Sequence, residues 1–149
     1  MKRSKISFIV YYSFYFILFV GIGLSIFLPQ LYDMFSTVSI VFLEHTLVYK
    51  IAFYACYIIS LGIILELLLI FKTIYNDNPF KREVENRLKN IAVLFIILSL
   101  IVIIKFIFLP TLLTLAIFVV TFMVGLCFYA LAQVFKTAIA YKNEIDYTV

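Results

Sequence analysis

Tryptophan is absent from this chain, and charged residues, cysteine and histidine are scarce. Of the 149 residues, 13% are charged and 66% are hydrophobic, and the mean hydropathy is +1.17. Soluble domains average about 45–50% apolar residues. The composition therefore excludes a soluble domain and predicts an integral membrane protein.

Few residues of this chain could form a metal or redox site. Cys56 and Cys127 both lie in apolar runs and belong to no CxxC or His/Cys cluster, and His45 is the one histidine. We interpret both cysteines as small apolar packing residues. The sequence predicts no metal site and no cofactor.

Four apolar segments are long enough to cross a bilayer, which requires about 20 helical residues. They cover residues 8–28, 51–71, 91–109 and 112–134. Only Pro110 and Thr111 separate the last two, so these spans should form a tight hairpin. The predicted fold is all-α: one transmembrane domain over residues 1–149, built as an integral membrane four-helix bundle.

The basic residues predict the orientation of this bundle, because basic residues are retained on the cytoplasmic side. Ten of the twelve lie before the first span, in the loop 72–90 or in the tail 135–149, whereas only Lys50 and Lys105 lie toward the other side. Both termini should therefore be cytoplasmic. This pattern explains the net charge of +4 without direct nucleic-acid binding.

Spans three and four should continue as helices into the cytoplasm. Val84, Leu88 and Ile91 share one helical face that leads into span three, and apolar residues continue past Val134 in the same way. The outer segment 29–50 is unusually apolar for a loop. It could form an interfacial helix or an extension of span two, and the sequence leaves both open.

Two cytoplasmic stretches resemble a known family. They are Asn78-Pro79-Phe80 with Glu85-Asn86-Arg87-Leu88-Lys89-Asn90-Ile91, and Leu131-Ala132-Gln133-Val134-Phe135 with Glu144-Ile145-Asp146-Tyr147-Thr148-Val149. The chain is similar here to the small bacterial membrane proteins grouped as domain of unknown function 2975. The resemblance implies a multi-pass protein of a bacterial cytoplasmic membrane, and it implies no biochemical activity.

These stretches also define a candidate cytoplasmic latch. Its residues are Pro79, Phe80, Glu85, Asn86, Lys136 and Asp146. Pro79 suits the first turn of a helix, and Glu85 and Asn86 could bridge to Lys136 or Lys142. The latch could hold the two helical extensions together or serve as a docking surface for another protein.

Glu66 is the one acid inside a predicted span, where an ionisable residue indicates a functional site by default. Counting residues from the span ends predicts that Tyr129 and Ser13 share its depth, with Gln133 one turn below Tyr129. Three hypotheses follow. Glu66 could be a structural acid bonded to Tyr129 and Ser13, a charge paired with Lys136 or Lys72, or a proton or cation site.

An enzymatic function is not supported. Serines occur in the spans without a histidine at their depth, and no HExxH motif or aspartate pair is present. We expect no catalytic residues. The leading hypothesis is a non-enzymatic accessory or regulatory protein with a partner at its cytoplasmic face. The alternative is a small channel or transporter that uses Glu66, and a homo-oligomer could supply a ring of such residues.

Overall fold

Helices make up nearly all of the structure, a computed structural model that describes residues 5–36, 46–76, 81–108 and 110–148. α1 (Lys5–Leu24) is joined by a 3-10 turn (Ser25–Phe27) to α2 (Leu28–Ser36), and three long helices follow: α3 (Thr46–Asn76), α4 (Arg82–Phe108) and α5 (Leu112–Thr148). Within the described ranges no strand is present. The predicted all-α class is confirmed.

Among the described residues, four helical segments are long and apolar enough to cross a membrane. They are Ile9–Met34, Leu47–Tyr75, Arg82–Phe108 and Leu112–Ile145. The predicted number of membrane-spanning helices is therefore confirmed. Which end of each helix is cytoplasmic stays a prediction from the basic residues.

The observed helices are longer than the apolar runs from which they were predicted. α3 extends beyond residues 51–71 at both ends, α4 begins at Arg82, and α5 continues to Thr148. In the outer segment 29–50, residues 29–36 belong to α2 and residues 46–50 belong to α3. Residues 37–45 lie outside the described ranges. Polar residues can continue a helix as well as apolar ones, so hydropathy marks only the part inside lipid.

The turn between α4 and α5 is closed by a helix cap. The backbone N–H of Thr114 donates to Thr111 Oγ1 at 3.2 Å, and the backbone N–H of Leu115 donates to the Thr111 carbonyl at 3.1 Å. Pro110 precedes this cap and has no N–H with which to extend α4. The predicted tight hairpin is present.

α4 and α5 approach each other closely at Gly125. A Cβ added to Gly125 would lie 3.2 Å from Phe95 Cβ and 3.4 Å from the Ala92 carbonyl oxygen. The rings of Phe95 and Phe128 stack beside it, with centroids 5.7 Å apart. A small residue thus allows the two backbones to pack together, as is common between membrane helices.

The best-buried apolar residues belong to α3, α4 and α5. This core cluster comprises Ile63, Ile70, Val84, Leu88, Ile91 and Ala132. Among the described residues, α1 packs mainly on α3, with Phe14 stacked on Phe71 and Tyr11 stacked on Tyr75. No residue from Ile9 to Phe27 is buried, so α1 is peripheral to a three-helix core.

Candidate functional site around Glu66

Both carboxylate oxygens of Glu66 accept hydrogen bonds from α4. Arg87 Nη1 lies 3.1 Å from Oε2, and Asn90 Nδ2 lies 3.0 Å from Oε1. The side chains of Glu66 and Arg87 are 18% and 28% exposed, respectively. An acid and a guanidinium that are both partly removed from water offset each other's desolvation cost, and the Asn90 amide serves the second oxygen.

The antiparallel pairing of α3 and α4 brings these residues together. Arg87 and Asn90 are three residues apart and therefore lie on one face of α4. One turn before Glu66 on α3, a Cβ added to Gly62 would lie 3.6 Å from the Leu94 side chain. The two helices are in direct contact here, which fixes the position of Glu66 relative to Arg87.

The ion pair lies at one edge of the membrane-spanning region. Asn90 is about 27 Å along α4 from Phe108, whereas the hydrocarbon core of a bilayer is about 30 Å thick. An ion pair near this boundary costs less than one at the bilayer centre. We call this part of the molecule the Glu66 end: residues 66–76 of α3, 82–90 of α4 and 132–148 of α5.

The Nε atom of Arg87 has a different environment from Nη1. Nε is buried and makes no hydrogen bond to any described residue. Arg87 therefore uses a terminal nitrogen for Glu66 and forms a single contact with the carboxylate, not the two parallel contacts of the strongest arginine–carboxylate pairs.

Ser13 does not reach Glu66. Its hydroxyl donates to the Val10 carbonyl at 2.8 Å, and the stacking of Tyr11 and Phe14 on α3 residues 75 and 71 places Ser13 more than one turn beyond Glu66. The predicted common depth assumed that both helices end at the same membrane level. α3 instead continues to Asn76, and this shifts the level at which α1 packs.

Tyr129 and Gln133 are also not brought to Glu66. Tyr129 is 50% exposed, Gln133 is exposed, and neither side chain bonds to the carboxylate. The side of α5 that faces α4 contains Gly125, Phe128 and Ala132. From Gly125, a step of four residues rotates 40° one way around the helix and a step of three rotates 60° the other way. α4 lies on the side of Phe128, so Tyr129 is turned away from it.

The lysines expected as partners for Glu66 are elsewhere. Lys72 and Lys136 are both exposed, and the described salt bridge of Glu66 is to Arg87. The charge partner of Glu66 is therefore an arginine and not the predicted lysine. Arg87 lies in the segment that the sequence analysis assigned to the loop.

The contacts of the latch residues differ from the predicted ones. Glu85 is buried, and its carboxylate bonds to Lys89 at 2.6 Å on the same helix, not to Lys136 or Lys142. Asn86 is exposed. Pro79 and Phe80 lie outside the described residues, as does the side chain of Asp146.

Apolar packing joins α4 and α5 at this end. Val84 and Leu88 are buried, and Phe135 packs against the cluster that contains them. Glu85 pairs with Lys89 because residues four apart are neighbours on the surface of one helix. The contact therefore does not depend on the position of a second helix. The extensions are therefore held together through their apolar faces.

Sequence reasoning missed Arg87 and Asn90 as partners of Glu66. The signal was present in the spacing: two polar residues three apart, just before an apolar span, joined to α3 by a short connection. An antiparallel helix pair would place them beside the last acid of the preceding span. No group of three or more potential metal ligands occurs among the described residues.

The comparisons with known proteins identify the family and nothing further. Neither the curated proteins nor the solved structures give a match. Residues 6–149 match the family described as "Protein of unknown function (DUF2975)", and this range includes the four apolar helical segments, the Glu66 site and the end of α5. This chain therefore belongs to the DUF2975 family.

Proposed function

We propose that this protein is a non-enzymatic accessory or regulatory protein of a bacterial plasma membrane, and that it acts through a protein partner at the cytoplasmic face. The observation that carries the proposal is the length of α5. This helix has 37 residues and is about 55 Å long, against about 30 Å for the hydrocarbon core. Its last turns project beyond the membrane at the Glu66 end.

The projecting part of α5 offers a polar flank to a partner. Gln133, Lys136 and Asn143 are exposed and lie within about 80° of one another around the helix. Asn86 of α4 is exposed at the same end. The apolar packing of α4 on α5 supports this surface, so a partner would meet a rigid element.

The distribution of basic residues supports a cytoplasmic location for this surface. Lys72 and Arg82 lie at the Glu66 end together with Lys136 and Lys142, and Lys81 directly precedes Arg82. Basic residues near the ends of spans are retained on the cytoplasmic side. A cytosolic partner could therefore reach the polar flank of α5.

The alternative hypothesis, ion transport through Glu66, has no supporting observation in the described residues. Both carboxylate oxygens already accept hydrogen bonds from Arg87 and Asn90. A cation bound at Glu66 would have to displace the Arg87 guanidinium from the carboxylate. We therefore assign Glu66 to the fold.

Site-specific photo-crosslinking in living cells tests the proposed partner. A photoreactive amino acid at Lys136 or Asn143 should give one reproducible protein adduct, identified by mass spectrometry. Excess protein without the photoreactive group should compete the adduct away. The matched control is Val119, which is 50% exposed on the membrane part of the same helix and should give none of this adduct.

The opposite result would defeat the proposal. If Lys136 and Asn143 gave only the diffuse adducts that Val119 also gives, the polar flank would have no specific partner. An adduct with the mass of two copies of this chain would assign the flank to self-association, which likewise contradicts a separate partner.

A further inference from the structure

Tyrosines of α1 and α3 form a cluster at the Glu66 end. The rings of Tyr11 and Tyr75 stack with their centroids 5.4 Å apart and an interplanar angle of 4°, and the ring of Tyr15 meets Tyr11 edge-on at 4.9 Å. The Tyr11 hydroxyl donates to the Tyr15 hydroxyl at 3.1 Å. These contacts fix the two hydroxyl groups of α1 relative to each other and to α3.

The hydrogen bond between the two tyrosines leaves one donor for a ligand. Tyr15 accepts from Tyr11 and donates to no described residue. Its side chain is 41% exposed, so the hydroxyl proton is accessible. Hydrogen bonds in a chain polarise one another, so the bond from Tyr11 makes the Tyr15 hydroxyl a stronger donor.

Lys72 lies on the same flank of the helix pair as Tyr15. Phe14 stacks on Phe71 across the two antiparallel helices, and Tyr15 and Lys72 are the residues that directly follow these two. One residue advances 100° around a helix, and in an antiparallel pair this step leads to the same flank on both helices. The levels of Tyr15 and Lys72 along the helix axes differ by only about 3 Å.

Lys72 supplies this flank with a positive charge that no carboxylate neutralises. Its side chain is exposed and forms no salt bridge within the described part of the chain. Glu66, the acid on the same helix, is paired with Arg87. A cation and a hydroxyl donor on one flank are complementary to a phosphate, whose charged oxygens accept from both.

The level of this flank in the membrane indicates the source of the phosphate. Lys72 lies six residues past Glu66 on α3, which is a distance of about 9 Å. Glu66 lies near the edge of the hydrocarbon core, and the headgroup layer extends about 5–8 Å beyond that edge on each side. Tyr15 and Lys72 therefore lie at the level of the lipid headgroups.

We propose that Tyr15 and Lys72 bind the phosphate of an anionic phospholipid, and that Tyr11 positions the Tyr15 hydroxyl. Lys72 contributes the positive charge and Tyr15 contributes a directed hydrogen bond. An anionic headgroup binds better than a zwitterionic one, because the zwitterion brings its own ammonium group toward Lys72. The site lies on α1 and α3, so it is independent of the protein partner proposed for α5.

Native mass spectrometry of the delipidated protein in mild detergent measures this binding directly. The protein is titrated with phosphatidylglycerol and, separately, with phosphatidylcholine of the same acyl chains. One phosphatidylglycerol should bind more tightly than any phosphatidylcholine. Lys72→Gln should weaken this binding about tenfold, because it removes a charge-assisted hydrogen bond. Tyr15→Phe, which keeps the ring and removes the donor, should also weaken it.

Matched variants distinguish the site from a general attraction of lipid to basic residues. Lys50→Gln removes an exposed lysine near the other end of α3, and Tyr12→Phe removes the hydroxyl of a neighbouring tyrosine that is 54% exposed. Both variants should bind phosphatidylglycerol as the wild type does. Lys72→Arg keeps the charge and should retain most of the binding. An excess of inorganic phosphate should not displace the lipid.

Three results would overturn the proposal. They are equal affinity for the two lipids, equal loss of binding in Lys50→Gln and Lys72→Gln, and displacement of the lipid by inorganic phosphate, which would indicate a site for a soluble anion. Because the Lys72 side chain is exposed, its substitutions leave the packing of α1 on α3 intact. A folding defect in Tyr15→Phe would therefore not remove the test.

Discussion

At the scale of single residues, the main feature is that the acid inside the bundle has its charge partner on the neighbouring helix. Glu66 accepts from Arg87 and Asn90 through both oxygens. Loss of one member of such a pair leaves the other partly buried and without its counter-charge, which costs more than the intact pair contributes. Each residue therefore stabilises the contact between α3 and α4.

A double-mutant cycle should detect this dependence. Glu66→Gln and Arg87→Gln should each lower the free energy of unfolding, and the double variant should lose less than the sum. We expect a coupling energy of about 1 kcal/mol, since both side chains retain some exposure. The measurement is unfolding in detergent for the wild type, both single variants and the double variant.

Lys72 provides the matched control for this cycle. It lies on α3 as an exposed lysine, and Lys72→Gln should show no coupling to Glu66→Gln. Coupling to Lys72 in place of Arg87 would instead support the lysine partner that the sequence suggested, and would contradict the observed pair.

At the scale of helices, close packing of α4 on α5 is the feature that organises the core. The two backbones meet at Gly125, where an added Cβ would lie within 3.2 Å of Phe95. Phe128, Ala132 and Phe135 continue this contact face toward the Glu66 end. α1, in contrast, packs mainly on α3 within the described residues.

Gly125→Val should therefore loosen the core. The added side chain meets Phe95 Cβ and the backbone of Ala92, which cannot move aside easily, so overpacking should cost about 1–3 kcal/mol. Thermal unfolding in detergent should show a lower midpoint. Gly23→Val is the control, because nothing lies within 4 Å of a Cβ added there. An equal loss in both variants would indicate a propensity effect and not helix contact.

The helices and their number follow from hydropathy, because each apolar run satisfies its backbone hydrogen bonds only as a helix within lipid. Hydropathy did not predict the partners of Glu66. Depth counted from the ends of apolar runs placed Ser13 beside Glu66, but α3 continues as a helix to Asn76. The prediction that Tyr129 faces the interior was also wrong. Phe128 is the residue that faces α4, and Tyr129, the next residue along the helix, is exposed.

At the scale of the whole molecule, one end of the bundle differs from the other. The Glu66 end contains the ion pair, most of the apolar core cluster and the last turns of α5. The opposite end contains α2 and the short turn at Pro110 and Thr111. We expect the functional surface at the Glu66 end, because the polar end of α5 lies there.

Single-cysteine labelling should show this end to be cytoplasmic. With both native cysteines replaced by alanine, Asn143→Cys should react with a membrane-impermeant maleimide only after cells are opened. Gln30→Cys, at the start of α2, should react in intact cells. Labelling of Asn143→Cys in intact cells would reverse the orientation and remove the polar flank from the reach of a cytosolic partner.

If Glu66 serves the fold, as we propose, this protein should carry no protons across a membrane. Proton flux is measured into liposomes reconstituted with the purified protein, using wild type and Glu66→Gln at matched protein content. Both should give the flux of protein-free liposomes. A proton flux in the wild type that is lost in Glu66→Gln, with folding intact, would instead assign Glu66 to transport.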